Sequence, residues 1–226
     1  MSDTRADLAT AAEIEKLERL LDLEAGSLAF LYKVALAELR ELRRLVTGAL
    51  FDGDGARLSR VAAASKLLPA GLVAAISERA FGPLLAARIT GFMDPRRAVD
   101  VGRHLDPSFL ADICVQLDPR RAAELIPRMD VDTVVAVSEE LLERGDFVTM
   151  GRFVGSMPTD ALAAVLEVSE DDELLKVCAV AESEAGIDEV FDLLGEERLR
   201  DVRRRAARKD LKQEALVLHD RLQEMH

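Results

Sequence analysis

Leu105-Asp106-Pro107-Ser108-Phe109-Leu110-Ala111-Asp112-Ile113-Cys114-Val115-Gln116 runs directly into a second copy of its own opening, Leu117-Asp118-Pro119. Met93-Asp94-Pro95 stands one unit earlier and Met129-Asp130-Val131 one unit later, all at a spacing of twelve residues. Phe81-Gly82-Pro83 keeps the same register, and Leu68-Pro69 reads as a degraded earlier copy. A slip of four residues at Glu143-Arg144-Gly145 is followed by Gly145-Asp146-Phe147 and Met157-Pro158-Thr159. An internal repeat of this kind decides the fold before any single motif does.

Each unit has a physical grammar. Asp in the second position is a good N-cap, its carboxylate accepting free N–H groups of the first helical turn. Pro in the next position fits the first helical residue, where it gives up no hydrogen bond. About nine helical residues follow, and the next Pro stops the helix. Three apolar sites recur: Met93, Leu105, Leu117 and Met129; Ala98, Leu110, Ala122 and Val134; Val101, Ile113, Leu125 and Val137. Helices this short are unstable alone in water, so each must bury its stripe against neighbours. The expected fold is therefore all-α, an armadillo-like superhelical α-solenoid of either hand in which each unit supplies one helix and one tight turn.

Composition agrees. The 226 residues are 49% hydrophobic but only 4% aromatic, with no Trp, an alphabet that favours helix over strand. A net charge of −12 argues against a surface devoted to nucleic acid or anionic membrane. Cys114 and Cys178 are widely separated, lie in apolar helical runs and read as buried free thiols. With an acidic, polar N-terminus and no long uncharged apolar run, the chain is expected to be cytoplasmic, without a transmembrane segment.

The expected organisation has three parts: a helical arm or hairpin over 1–52, the solenoid over 56–195 and an amphipathic helix with a basic block over 196–226. In the arm, Ile14, Leu17, Leu21, Glu24, Leu28, Leu31, Ala35, Glu38, Leu42 and Leu45 follow 3-4 spacing, a heptad seam with two acidic interruptions. Leu20, Leu23, Phe30, Val34 and Leu39 widen the stripe, which suits docking on a larger body. A homodimer through this helix is the alternative. Gly26-Ser27 marks a kink or break. The Asp52-Gly53-Asp54-Gly55 turn resembles a calcium loop but would end at Ala63, where a bidentate Glu is needed.

Leu117-Asp118-Pro119-Arg120-Arg121-Ala122-Ala123-Glu124-Leu125 resembles the cytoplasmic N-terminal domain of MgtE-type magnesium transporters, itself similar to the armadillo-like middle domain of the flagellar motor-switch protein. The likeness covers about residues 68–180. It implies a regulatory or scaffolding role without channel activity, since neither membrane helices nor a CBS pair are expected here. It also raises magnesium as a candidate ligand, with Asp94, Asp100, Asp106, Asp112, Asp118 and Glu124 as the carboxylates. Caps on successive helices stand about 10 Å apart and do not converge as an octahedral ion requires, so capping and solvation are the plainer roles. No resident cofactor is expected.

Twelve acidic residues against Lys176 fill Glu167–Glu197, and seven basic residues against Asp201 and Asp210 fill Leu199–Lys212. Such a reversal signals internal pairing or a partner surface. Without interleaved aromatics it does not read as a nucleic-acid site. His104, His219 and His226 lack metal-site spacing, and no phosphate loop or nucleophile elbow occurs, so an enzyme is not expected. The expected function is a non-catalytic interaction or scaffold module, or alternatively a magnesium-responsive regulator. Its protein partner would bind through Arg96, Arg97, Arg120 and Arg121, with Arg203, Arg204, Arg205 and Arg208 of the basic block.

Overall fold

A computed structural model describes residues 2–21, 23–52 and 55–206. Its regular structure is helical, and no strand occurs among the described residues. The N-terminal arm consists of α1 (Ser2–Leu20) and α2 (Leu36–Asp52), packed on each other and joined through a short 3-10 turn at Ala29–Lys33. Of the two forms expected for the arm, one long helix or a hairpin, the structure has two helices, separated at the expected Gly26-Ser27 break. Gly26 adopts φ +87°, a conformation open to glycine and unfavourable for other residues, and it turns the chain back.

The break resets the phase of the seam. Ile14 and Leu17 are buried with Leu39, a member of the second apolar row, while Leu42 and Leu45 face solvent. Leu28, Leu31 and Val34 pack at the edge of this small core.

The body begins at α3 (Gly55–Ser65) and continues with α4 (Ala70–Ile76), α5 (Gly82–Thr90), α6 (Pro95–Gly102), α7 (Pro107–Gln116) and α8 (Pro119–Leu125). After these come α9 (Val131–Glu143), α10 (Phe147–Phe153), α11 (Thr159–Val168), α12 (Asp171–Val180), α13 (Glu184–Leu193) and α14 (Glu196–Ala206). Each helix packs on the one two places further along the chain. Helices α3, α5, α7, α9, α11 and α13 form one row, and α4, α6, α8, α10, α12 and α14 form the other. The four-residue slip in the repeat lengthens α9, which ends at Gly145 with φ +66°.

Helix initiation follows the local chemistry of the repeat. The Asp94 carboxylate accepts from the backbone N–H of Arg96, Asp106 from Ser108, Asp118 from Arg120 and Asp146 from Thr149. Asp130 departs from the pattern: it makes no cap bond at α9 and is held by the Arg103 guanidinium, with contacts of 2.5 and 2.9 Å. A charged, bidentate partner has displaced the backbone amides.

Val101, Ile113, Leu125 and Val137 are all buried, as are Leu110, Ala122 and Val134. Burying an aliphatic side chain of this size is worth about 1.5–3 kcal/mol, so these sites carry much of the packing energy. One core extends from Val99 to Ala206, with Val202 of α14 fully enclosed. The remainder of the expected C-terminal helix, including Arg208, Lys209 and Lys212, lies outside the described residues.

The capping scheme has a direct test by urea unfolding. Asp118→Ala is expected to lower stability by about 1–2 kcal/mol, because its nearly buried carboxylate caps α8. Asp130→Ala should move the midpoint less, since α9 takes no cap bond from it.

Candidate functional site: the arm docked on the helical rows

Short helices expose backbone carbonyls at their C-terminal ends, and arginines from later helices bind them here. Arg97 of α6 donates to the carbonyls of Ser65 and Leu68 at 2.8 and 2.5 Å, pinning the turn between α3 and α4. Arg121 of α8 reaches Met93 O at 2.7 Å, in the turn before α6. Arg152 of α10 reaches Leu117 O at 2.9 Å, in the turn before α8. Arg198 of α14 binds Leu166 O in the last turn of α11 and Ser169 O in the turn before α12. Arg144, at the end of α9, instead donates to Ser108 O in the first turn of α7 and pairs with Asp112.

The four candidate arginines of the first two units thus divide into two classes. Arg97 and Arg121 are spent inside the fold; Arg96 and Arg120 are exposed, though Arg120 pairs with the nearly buried Asp118 carboxylate at 2.6 Å. They do not form a single surface row. In the basic block, Arg204 pairs with Asp201 on its own helix and Arg205 lies 3.5 Å from Asp172, while Arg203 is half-buried. Arg208 is outside the described residues.

The candidate carboxylates are likewise engaged. Asp94, Asp106 and Asp118 cap helices, and Asp100, Asp112 and Glu124 pair with Arg97, Arg144 and Arg121. Among the described residues, no group of three His, Cys, Asp or Glu side chains is arranged to hold a metal ion.

The arm docks through buried charge. Glu13, 1% exposed, lies 3.2 Å from Lys16 and 2.8 Å from Arg43, and both cations also contact Glu182. Arg19 pairs with Asp146 and donates to Thr149, so α1 holds the start of α10. Glu18 accepts the backbone N–H of Leu28, tying the arm's own turn to α1. Burial, with Arg43 nearby, pushes the Arg152 guanidinium below its ordinary pKa. A void of about 20 Å³ bordered by Lys16, Arg43, Thr47 and Arg152 has room for about one water. Opposite charges taken out of water in this way must be kept together, because removing one partner strands the other.

A second void, of about 80 Å³, lies among Val73, Ile89, Met93, Leu110, Cys114 and Phe153. Its apolar lining and small volume make it a packing defect below the usual size of a ligand pocket, roughly 300 Å³ and above. Burial pushes the Cys114 thiol up to about 12. The charge of nearby Arg152 acts the other way but is outweighed by burial, so the thiol stays protonated and unreactive.

The sequence reading missed Glu13, Lys16, Arg43, Glu182, Arg144, Arg152 and Arg198. Only Arg152 carried a local signal, a lone cation in the apolar run Phe147–Phe153. No family model, curated protein or solved structure matches the chain. The likeness to the magnesium-transporter domain rests on the repeat motif alone.

Two measurements probe this site. Burial raises the Glu182 carboxyl, but Lys16 and Arg43 outweigh it and hold the group below the usual carboxylate range. A carboxylate depressed in this way stabilises docking above its unfolded pKa, and the contribution is lost as pH falls through the folded value. Glu182→Gln is expected to abolish that acid-dependent part of α1 hydrogen-exchange protection. Because Glu182 is partly open to solvent, the cost at neutral pH should be about 1–2 kcal/mol. In the native protein, iodoacetamide at neutral pH should leave Cys114 unmodified, with alkylation appearing only in denaturant.

Proposed function

We propose that this chain is a non-catalytic, cytoplasmic protein-interaction module built as an α-solenoid of about twelve-residue units, similar to the MgtE N-terminal domain. The observation that carries this reading is the division of the arginines. Arg97 and Arg121 fasten successive turns, while Arg96 and Arg120, at equivalent positions of the neighbouring helices α6 and α8, face solvent. A ladder of outward charges on a fixed helical row can set the register of a charged partner segment, a task that needs rigid spacing and no reactive group.

The magnesium reading is less well supported, because its carboxylates already serve helix ends and guanidinium groups. Melting with and without millimolar Mg²⁺ separates the two readings, since an ion bound by the native state raises the midpoint. The expected result is no shift. Arg96→Glu should weaken capture of the partner from lysate while leaving the melting midpoint in place. Arg120→Glu should weaken capture too, but with a lowered midpoint, because Arg120 pairs with the buried Asp118 carboxylate. Unchanged capture would remove these two residues from the binding surface. Arg97 and Arg121 must stay intact in that test, since reversing them breaks structural bonds.

A further inference from the structure

The first layer of the body differs from the rest in both charge and polarity. Residues 55–93 contain five basic residues, Arg57, Arg60, Lys66, Arg79 and Arg88, against one acidic residue, Glu78, a net of +4 within a chain of −12. Glu78 is already used, accepting the backbone N–H of Asp106 at the start of α7. Arg57, Arg60, Lys66 and Arg79 are exposed.

The same layer exposes large apolar side chains. Leu67, in the turn between α3 and α4, is 86% exposed, and Leu72 in the first turn of α4 is 48% exposed. Val61 and Leu68 are also open to solvent. Arg97 grips this turn from within through Ser65 O and Leu68 O, so Leu67 is presented on a fixed backbone.

The stretch Ala70–Thr90 is long enough to span a membrane and contains an 18-residue window with a mean hydropathy of 1.2, of which only 22% is buried. It is not used as one straight rod: Gly82, at φ +70°, bends it, and its two halves pack in different rows, α4 on α6 and α5 on α7. Apolar surface with cations beside it, on an element that does not span, is the combination that rests on a lipid headgroup layer.

We propose that the α3–α4 layer docks on an anionic phospholipid bilayer, with Leu67 and Leu72 entering the acyl boundary and Arg57, Arg60 and Lys66 facing the headgroups. Charge selects this surface over a second copy of the chain. The outer face of α13 at the opposite end offers Glu184, Asp188 and Asp192 but no exposed large apolar residue to cover the leucines. A bilayer containing anionic lipid complements both features at once.

The test is cosedimentation of the full chain with phosphatidylcholine vesicles, with and without phosphatidylglycerol. The wild type is expected to pellet with phosphatidylglycerol vesicles and to be released by salt. Leu67→Asp, and separately Arg57→Glu with Arg60→Glu and Lys66→Glu, should each reduce binding by about tenfold or more, with melting curves like the wild type. Arg200→Glu with Arg204→Glu, in the basic block, should leave binding unchanged. The proposal is overturned if the wild type stays in the supernatant, if either α3–α4 variant binds as well as wild type, or if only the α14 variant fails to bind. Binding to soluble polyglutamate with no vesicle binding would also overturn it, in favour of an acidic protein partner.

Discussion

An eight-residue helix has as many unsatisfied backbone groups at its ends as it has residues. The first four N–H groups and the last four carbonyls find no partner within it. A body built from helices as short as α6, α8 and α10 is therefore governed by how those ends are closed. The N-terminal ends are closed locally, by Asp94, Asp106, Asp118 and Asp146. The C-terminal ends and turns are closed at a distance, by Arg97, Arg121, Arg152 and Arg198 from the next helix of the second row. Each arginine both satisfies a carbonyl and joins a turn to a later helix, so local closure and long-range packing are one interaction.

The arm extends the same logic. A helix pair with a core as small as Ile14, Leu17 and Leu39 cannot hold its position by apolar burial alone. It is positioned by ionic contacts that must be satisfied together: Glu13 between Lys16 and Arg43, Glu182 across from both, and Arg19 on Asp146. Asp146 links the two systems, since the carboxylate that receives Arg19 also caps α10. Undocking α1 would strand charge at the cap of a body helix, which couples the arm to the row beneath it.

The parts of this structure that were legible in the sequence are those encoded within a few residues. Asp followed by Pro, then an apolar stripe, specifies a capped helix without reference to the rest of the chain, and the repeat-site residues Val101, Ile113, Leu125 and Val137 are each buried. Asp130 was misread because its partner, Arg103, lies 27 residues away. The arginines were misread for the same reason. Arg96 and Arg97 are adjacent and chemically identical, and only the position of the α3–α4 turn decides that one faces solvent and the other binds Leu68 O. The heptad seam failed differently: its spacing assumes a continuous helix, and the turn at Gly26 cancels the phase relation between Ile14 and Leu45. Nothing local in Glu13, Arg43 or Glu182 distinguishes them from surface charges.

The two ends of the body are not equivalent, and this follows from closure as well. A row of packed helices benefits from a polar outer face where the row ends, because an apolar stripe there would meet water. At the C-terminal end the outer side of α13 carries Glu184, Asp188 and Asp192, while Arg198 and Arg205 tie α14 to Asp171 and Asp172. At the N-terminal end Arg97 holds the α3–α4 turn and Glu78 accepts the backbone N–H of Asp106, yet Leu67 and Leu72 remain in water. The arm, which comes immediately before α3 in the chain, could in principle have sealed that layer. Its charges instead commit it to Glu182, just after α12, and to Asp146 at the start of α10, and α1 packs on α7 and α12, farther along the rows. The ionic cluster that fixes the arm is thus also what leaves the first layer of the body uncovered.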